Sequence, residues 1–98
     1  MLEGTIDLRD VVELIALDVR RFNRFIDDMN RSEKVDMDDK VFMYARKHMR
    51  LAGEMGLACR MGIDISVVYG NEPCCLERIE YLKYKRSDDE TWEVYELG

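Results

Sequence analysis

Apolar side chains at Leu8, Val12, Ile15, Val19, Phe22, Ile26 and Met29 are spaced 4, 3, 4, 3, 4, 3. That spacing puts all seven on one helix face, which must be buried against another element. It predicts a helix over about 7–30, roughly 36 Å long at 1.5 Å per residue. Asp7 suits its N-cap, Asp10 complements the positive end, and Ile6 and Val11 are placed for a hydrophobic staple. Asp10, Glu13, Arg20, Arg24, Asp27 and Asp28 form a solvated outer face. Leu14 and Leu17 lie off the stripe, so this helix is apolar on two sides in its first half. Either a following sheet or a second subunit is expected to cover them, and they are the candidate self-association residues of a homodimer.

Arg31-Ser32-Glu33-Lys34-Val35 is a short polar connection of the length that joins antiparallel helices. A second helix is expected over about 36–61, opened by Asp36 or Asp38 and closed by Gly62 at the C′ position. Ala45, Ala52 and Cys59 recur every seven residues along it, flanked by Val41, Phe42, His48, Met49 and Met55. The expected seam sets this small line against the bulky stripe of the first helix, at an axis separation of about 8 Å. Gly53 and Gly56 each weaken the helix by about 1 kcal/mol relative to alanine.

After Gly62 the apolar period falls from 3.6 to 2. Ile63, Ile65 and Val67 alternate with Asp64 and Ser66, predicting a strand over 63–69. Gly70-Asn71-Glu72-Pro73 reads as a turn. Strands follow over 78–85 and 91–97, joined by the polar loop Arg86-Ser87-Asp88-Asp89-Glu90. Strict alternation puts Ile79, Tyr81 and Lys83 on one face and Leu82 and Tyr84 on the other, with Trp92 and Val94 sharing a face. Residues 75–83 also tolerate a helical reading. The predicted fold is therefore α+β in a single domain, 1–98: a long antiparallel two-helix hairpin followed by a two- or three-stranded antiparallel sheet.

Length bounds what such a chain can do. Ninety-eight residues bury only about 60–70% of the unfolded surface, leaving little material for a deep walled pocket. The net charge of −6 is unevenly spread: residues 1–30 carry 7 acids and 4 bases, 31–62 carry 5 and 7, and 63–98 carry 9 and 4. An acidic C-terminal third disfavours non-specific binding to nucleic acid or anionic membrane and suits docking onto a basic partner surface. The opening Met1-Leu2-Glu3-Gly4 has no basic and apolar leader pattern, no run reaches membrane-spanning length, and three cysteines is an odd number. A cytoplasmic setting with free thiols is the expectation.

Reactive constellations are scarce. The single histidine, His48, lies eleven helical residues from Cys59, about 16 Å along the axis and too far for proton transfer. Adjacent Cys74-Cys75 lack the C-x-x-C spacing that lets two thiolates share one zinc. Asp36, Asp38 and Asp39 lack the glycine and terminal glutamate of a calcium loop and serve better as helix-capping charge. Asp7, Asp10 and Glu13 could hold Mg²⁺ for phosphate chemistry, but the second helix answers them only with Glu54. No phosphate-cradling glycine motif is present. No cofactor and no metal site is expected, and no catalytic residue is assigned.

Two surfaces remain. The acidic hairpin carries Asp88, Asp89, Glu90, Glu93 and Glu96 interleaved with Trp92 and Tyr95, and aromatic anchors in a charged rim are what partner-binding patches favour. The leading expectation is a small non-enzymatic protein that blocks or adapts a larger macromolecular partner by occupying its basic surface. Compact phage or mobile-element inhibitors of nucleic-acid machinery act in this way. The alternative is a nucleic-acid-binding regulator using Lys40, Arg46, Lys47 and Arg50 on the second helix, with Arg20, Arg21 and Arg24 on the first. A small metal-dependent hydrolase built on the acidic row is the third reading.

Overall fold

The computed structural model describes residues 7–70 and 76–97. Over these, α1 (Leu8–Arg31) and α2 (Met37–Arg60) form the hairpin, followed by β1 (Ile63–Tyr69), β2 (Ile79–Arg86) and β3 (Glu93–Glu96). The strands make one antiparallel sheet in the order β1-β2-β3. It lies under the hairpin with β1 beneath α2 and β2 beneath α1. The molecule is a thin slab of 51 × 27 × 18 Å, and no helix among the described residues is long and apolar enough to cross a membrane. The staple at Ile6, the turn over 71–73 and the Cys74-Cys75 pair fall outside the described residues.

The first stripe is buried as its spacing requires. Val12, Ile15, Val19, Phe22 and Ile26 are in the core, with Leu8 and Met29 half-buried at its ends. Ala16 and Asn23 join them because α1 meets both α2 and the sheet. Asp7 is the N-cap, its carboxylate accepting from Arg9 N at 3.0 Å. Asp36 occupies the N-cap position of α2 without a side-chain hydrogen bond to the helix. At the far end Gly62 takes φ +86°, a left-handed conformation open to glycine at little cost, and its N–H donates to Cys59 O at 3.0 Å.

The seam on α2 is not the one its alanine spacing suggests. Ala45, Ala52 and Cys59 are exposed, while Leu51 and Ala58 are buried and Tyr44, His48 and Met55 half-buried. The helix is turned by one residue, so 44, 51 and 58 face α1 in place of 45, 52 and 59. Large rings explain the choice: Tyr44 packs tilted against Phe22, ring centroids 5.6 Å apart, and reaches across the hairpin in a way alanine cannot. Val41, Phe42 and Met49 are left pointing outward.

The sheet also departs from simple alternation. Val68 pairs with Tyr81 but Tyr69 pairs with Ile79, so Glu80 is an extra residue in β2. This bulge reverses the facing of the strand's first residue. Ile79 therefore enters the core beside Leu82 and Tyr84 and does not share a face with Tyr81 and Lys83. Residues 79–83 are strand, which removes the helical reading for them.

Two asparagines fix where β2 lies. Asn23 Nδ2 donates to Ile79 O at 2.8 Å while Ile79 N donates to Asn23 Oδ1 at 2.9 Å. Two helical turns later Asn30 repeats the pattern with Leu76, at 3.1 and 3.0 Å. Each carboxamide mimics a neighbouring strand, supplying one donor and one acceptor to backbone that would otherwise be buried unpaired.

Candidate functional site

The acidic hairpin divides between the two faces of the sheet. Val94 pairs with Lys83 and Glu96 with Tyr81, placing both on the outer face, away from the helices. Trp92 precedes β3 and is 42% exposed, with Lys85 Nζ 5.2 Å from its ring centroid. Lys85 also pairs with Asp64 at 3.0 Å and donates to Asp89 O at 3.0 Å. Ser87 Oγ donates to the same Asp64 at 2.8 Å, and these hydrogen bonds with Ser87 and Lys85 hold the Asp64 carboxyl below the usual carboxylate range. One lysine therefore organises loop and tryptophan together, and Asp88, Asp89 and Glu90 project from the rim it holds.

Tyr95 belongs elsewhere. It pairs with Leu82, turns to the helix side and is half-buried beneath α1. Arg9 lies 5.0 Å and Arg20 5.8 Å from its ring centroid, and Arg20 donates to its hydroxyl at 3.5 Å. Glu93 alternates to the same side, though exposed. The outward contact set is thus Trp92, Val94, Glu96 and the loop carboxylates, with Tyr95 a strut between sheet and helix.

The cations of α2 form a second, shallower surface. Arg46, Lys47 and Arg50 line a depression of about 340 Å³ with Phe25 and Met43, and Lys47 sits 5.4 Å from the Phe25 ring centroid. Lys40 is diverted from this face, donating to Ser32 O at 2.6 Å at the helix connection. A larger cleft of about 690 Å³ lies between α1 and the sheet, lined by Arg20, Arg24, Arg31 and Arg78 with Asp27 and Glu80. Asp27 is engaged by Arg78 at 3.0 Å, leaving the cleft with an excess of cations. Arg20, Arg24 and Arg31 share a helix face and could be grouped from spacing, but Arg78 joins them only through the fold.

Between the helices a small hollow of about 120 Å³ is lined by Asp18, Phe22, Leu51 and Glu54 under a fringe of Arg21, Lys47 and Arg50. Glu54 Oε2 is enclosed with no hydrogen-bond donor among the described residues. Its carboxyl is pushed up to about 7, first by burial, then by the hydrogen bond and charge of Asp18, against a smaller opposing pull from Arg50. The sequence gives no hint of this partnership until the helix register is known.

Glu54 therefore faces Asp18 and not the row Asp7, Asp10, Glu13. In that row Asp7 caps the helix and Glu13 pairs with Arg9 at 3.4 Å. Among the described residues no three His, Cys, Asp or Glu side chains converge in a metal-binding arrangement. His48 stacks between Tyr44 and Tyr69, with ring centroids 5.9 and 5.8 Å away, and shares a hydrogen bond with the Tyr69 hydroxyl. Burial, with smaller contributions from Tyr69 and Glu77, pushes the Tyr44 phenol up to about 12. Leu14 and Leu17 remain 67% and 45% exposed, so the sheet does not cover them.

No protein-family model, curated protein or solved structure matches this chain.

Proposed function

We propose that this is a non-enzymatic interaction protein whose outer sheet face and acidic hairpin occupy a basic surface on a larger macromolecule. The observation that carries the reading is Trp92, held by Lys85 on the outer face, with Val94 beside it and Asp88, Asp89, Glu90 and Glu96 around them. A half-exposed tryptophan on a rigid sheet offers contact area with little ordering entropy to lose. The surrounding carboxylates accelerate encounter with a cationic partner and set its orientation. The single histidine fits the reading, because His48 is taken up between Tyr44 and Tyr69. Blocking a phosphate-binding groove is the mode that such a carboxylate rim fits best, and a reducing cytoplasm suits the free thiol of Cys59.

Affinity capture from a bacterial lysate tests this reading. The full chain is expected to retain a partner that is lost on Trp92→Ala and on triple reversal of Asp88, Asp89 and Glu90 to lysine. Equal recovery by both variants overturns it.

The arginine-lined cleft favours a second reading, a nucleic-acid-binding regulator. Arg20, Arg24, Arg31 and Arg78, with Lys47 and Arg50 on the separate α2 surface, would bind phosphate with affinity falling steeply in salt. Mobility shifts with DNA and RNA at low salt, abolished by Arg24→Glu or by Lys47→Glu with Arg50→Glu, would favour it over the hairpin.

A further inference from the structure

The outward face of α2 is complementary to itself when reversed. Positions whose numbers sum to 98 pair Asp38 with Arg60, Phe42 with Gly56, Ala45 with Gly53, and Met49 with itself, while Val41 and Leu57 lie about 80° to either side of Met49, at the edges of the face. Every one of these residues is exposed, Phe42 to 64% and Met49 to 72%. By helical spacing the line centred on Met49 lies opposite the line 44, 51, 58 that meets α1. We propose that this face is the interface of a homodimer, two copies packing α2 against α2 in antiparallel sense about a two-fold axis at Met49.

Three observations select a second copy of the chain as the occupant. The first is charge: neither the Asp38 nor the Arg60 side chain has a hydrogen bond or ion pair among the described residues of its own protomer. The antiparallel arrangement brings each to its opposite on the other copy and aligns the helix dipoles favourably. A parallel arrangement would set Asp38 on Asp38 and Arg60 on Arg60. The second is shape. Glycines at 53 and 56 weaken a helix interior, and a Cβ at either would meet nothing within 4 Å, so the protomer offers no steric reason for them. Against a second copy Gly56 receives Phe42, and Gly53 with Ala45 lets the axes approach on either side of Met49. The third is extent: Val41, Phe42, Met49 and Leu57, each half exposed or more, run along about 24 Å of helix, a strip long enough to seat a second helix against it.

Leu14 and Leu17 offer a smaller alternative on α1, where only these two leucines interrupt a charged surface. They supply the control for the test. Sedimentation equilibrium of the full chain is expected to give about 23 kDa, twice 11.6 kDa. Met49→Lys is expected to return it to the monomer mass with unchanged circular dichroism. Asp38→Arg should weaken the dimer about tenfold or more, and adding Arg60→Asp should restore it. With Cys59, Cys74 and Cys75 replaced by serine, Met49→Cys should oxidise to a covalent dimer, since identical residues meet on a two-fold axis, whereas Leu14→Cys should not. This arm stands even if Met49→Lys fails to fold. A strict monomer at millimolar concentration overturns the proposal. So does a dimer that survives Met49→Lys, or one lost instead through Leu14→Asp with Leu17→Asp. Trp92→Ala should leave the mass at 23 kDa, so failure of the hairpin reading and failure of this one are separable.

Discussion

The Asn23 carboxamide closes both backbone hydrogen bonds of Ile79, donating to its carbonyl at 2.8 Å and accepting from its N–H at 2.9 Å. Asn23 is the one buried polar residue among the described residues, and it lies in a core otherwise made of apolar side chains and Tyr84. Its partner sits at the first residue of β2, next to the bulge at Glu80, where the ladder to β1 is locally broken. The pair therefore fixes both the position of β2 under α1 and the face that Ile79 presents. Asn23→Ala leaves two buried backbone groups unpaired, each costing about 1–3 kcal/mol, and the expected loss is about 2–4 kcal/mol. Asn30→Ala, in a half-buried copy of the same arrangement, should cost about 1 kcal/mol because water can replace the lost partner. Urea unfolding of both variants checks the order; equal losses would mean that burial does not set the difference.

How far the fold could be read from residue spacing follows from what each pattern constrains. The α1 stripe was readable because its seven members occupy one face with no competing apolar line of equal length. On α2 two apolar lines run side by side, 44, 51, 58 and 45, 52, 59, and spacing cannot say which meets the chain's own core. The structure buries the line carrying Tyr44 and Leu51, because its long side chains bridge α1 and the sheet. The bulge at Glu80 has no period to announce it, so Ile79 is assigned to the wrong face by alternation alone. The hairpin was legible as a surface, but the inward turn of Tyr95 depends on the pairing of β3 with β2. The arginine cleft and the Asp18–Glu54 pair join residues 36 or more positions apart and become visible only in three dimensions.

Because Trp92 and Tyr95 stand on opposite faces, their truncations should separate binding from stability. Tyr95→Ala removes a half-buried ring packed under Arg9 and Arg20 and is expected to cost about 2 kcal/mol, with partner capture reduced only as far as the fold is weakened. Trp92→Ala removes a partly exposed ring beside Lys85 on the outer face and should cost less than about 1 kcal/mol while abolishing capture. Thermal melts alongside capture give the comparison. A Trp92→Ala variant as unstable as Tyr95→Ala would make the tryptophan a structural residue.

Glu54 predicts the pH dependence of stability. Its native carboxyl titrates at about 7 against a reference of 4.5. Below about pH 4.5 native and unfolded chains both hold the proton, and the group is neutral in the balance. Between the two values the native state binds the proton more tightly, so stability falls as pH rises; above about 7 the full cost of a half-buried carboxylate beside Asp18 is present. Glu54→Gln keeps the shape, removes the charge and offers an amide donor to Asp18. It should raise stability at pH 8 by about 1 kcal/mol, allowing for screening at a half-buried site, with the gain vanishing by pH 4.5. Chemical denaturation of the two chains at pH 4.5, 6 and 8 measures the difference, and a gain of equal size at all three would sink the assignment.

The glycines of the α2 segment should respond to alanine in opposite directions. Gly62 ends the helix at φ +86°, where a Cβ is strained whatever space surrounds it, and its carbonyl accepts from Ser87 N at 2.9 Å, tying the helix end to the hairpin loop. Gly62→Ala is therefore expected to cost about 1–2 kcal/mol. Gly53 and Gly56 have helical backbone and open space where a methyl group would go, so alanine at either should stabilise the monomer by about 0.5–1 kcal/mol through the unfolded chain and helix propensity. The same methyl at Gly56 would fill the recess offered to Phe42 of a second copy. Gly56→Ala should thus raise the melting temperature of dilute protein while weakening association at high concentration. Measured together, melting temperature against concentration for the wild type and Gly56→Ala should cross, the variant melting higher when dilute and gaining less on concentration. Parallel, non-crossing curves with the variant always higher would show that the glycine serves no contact between copies.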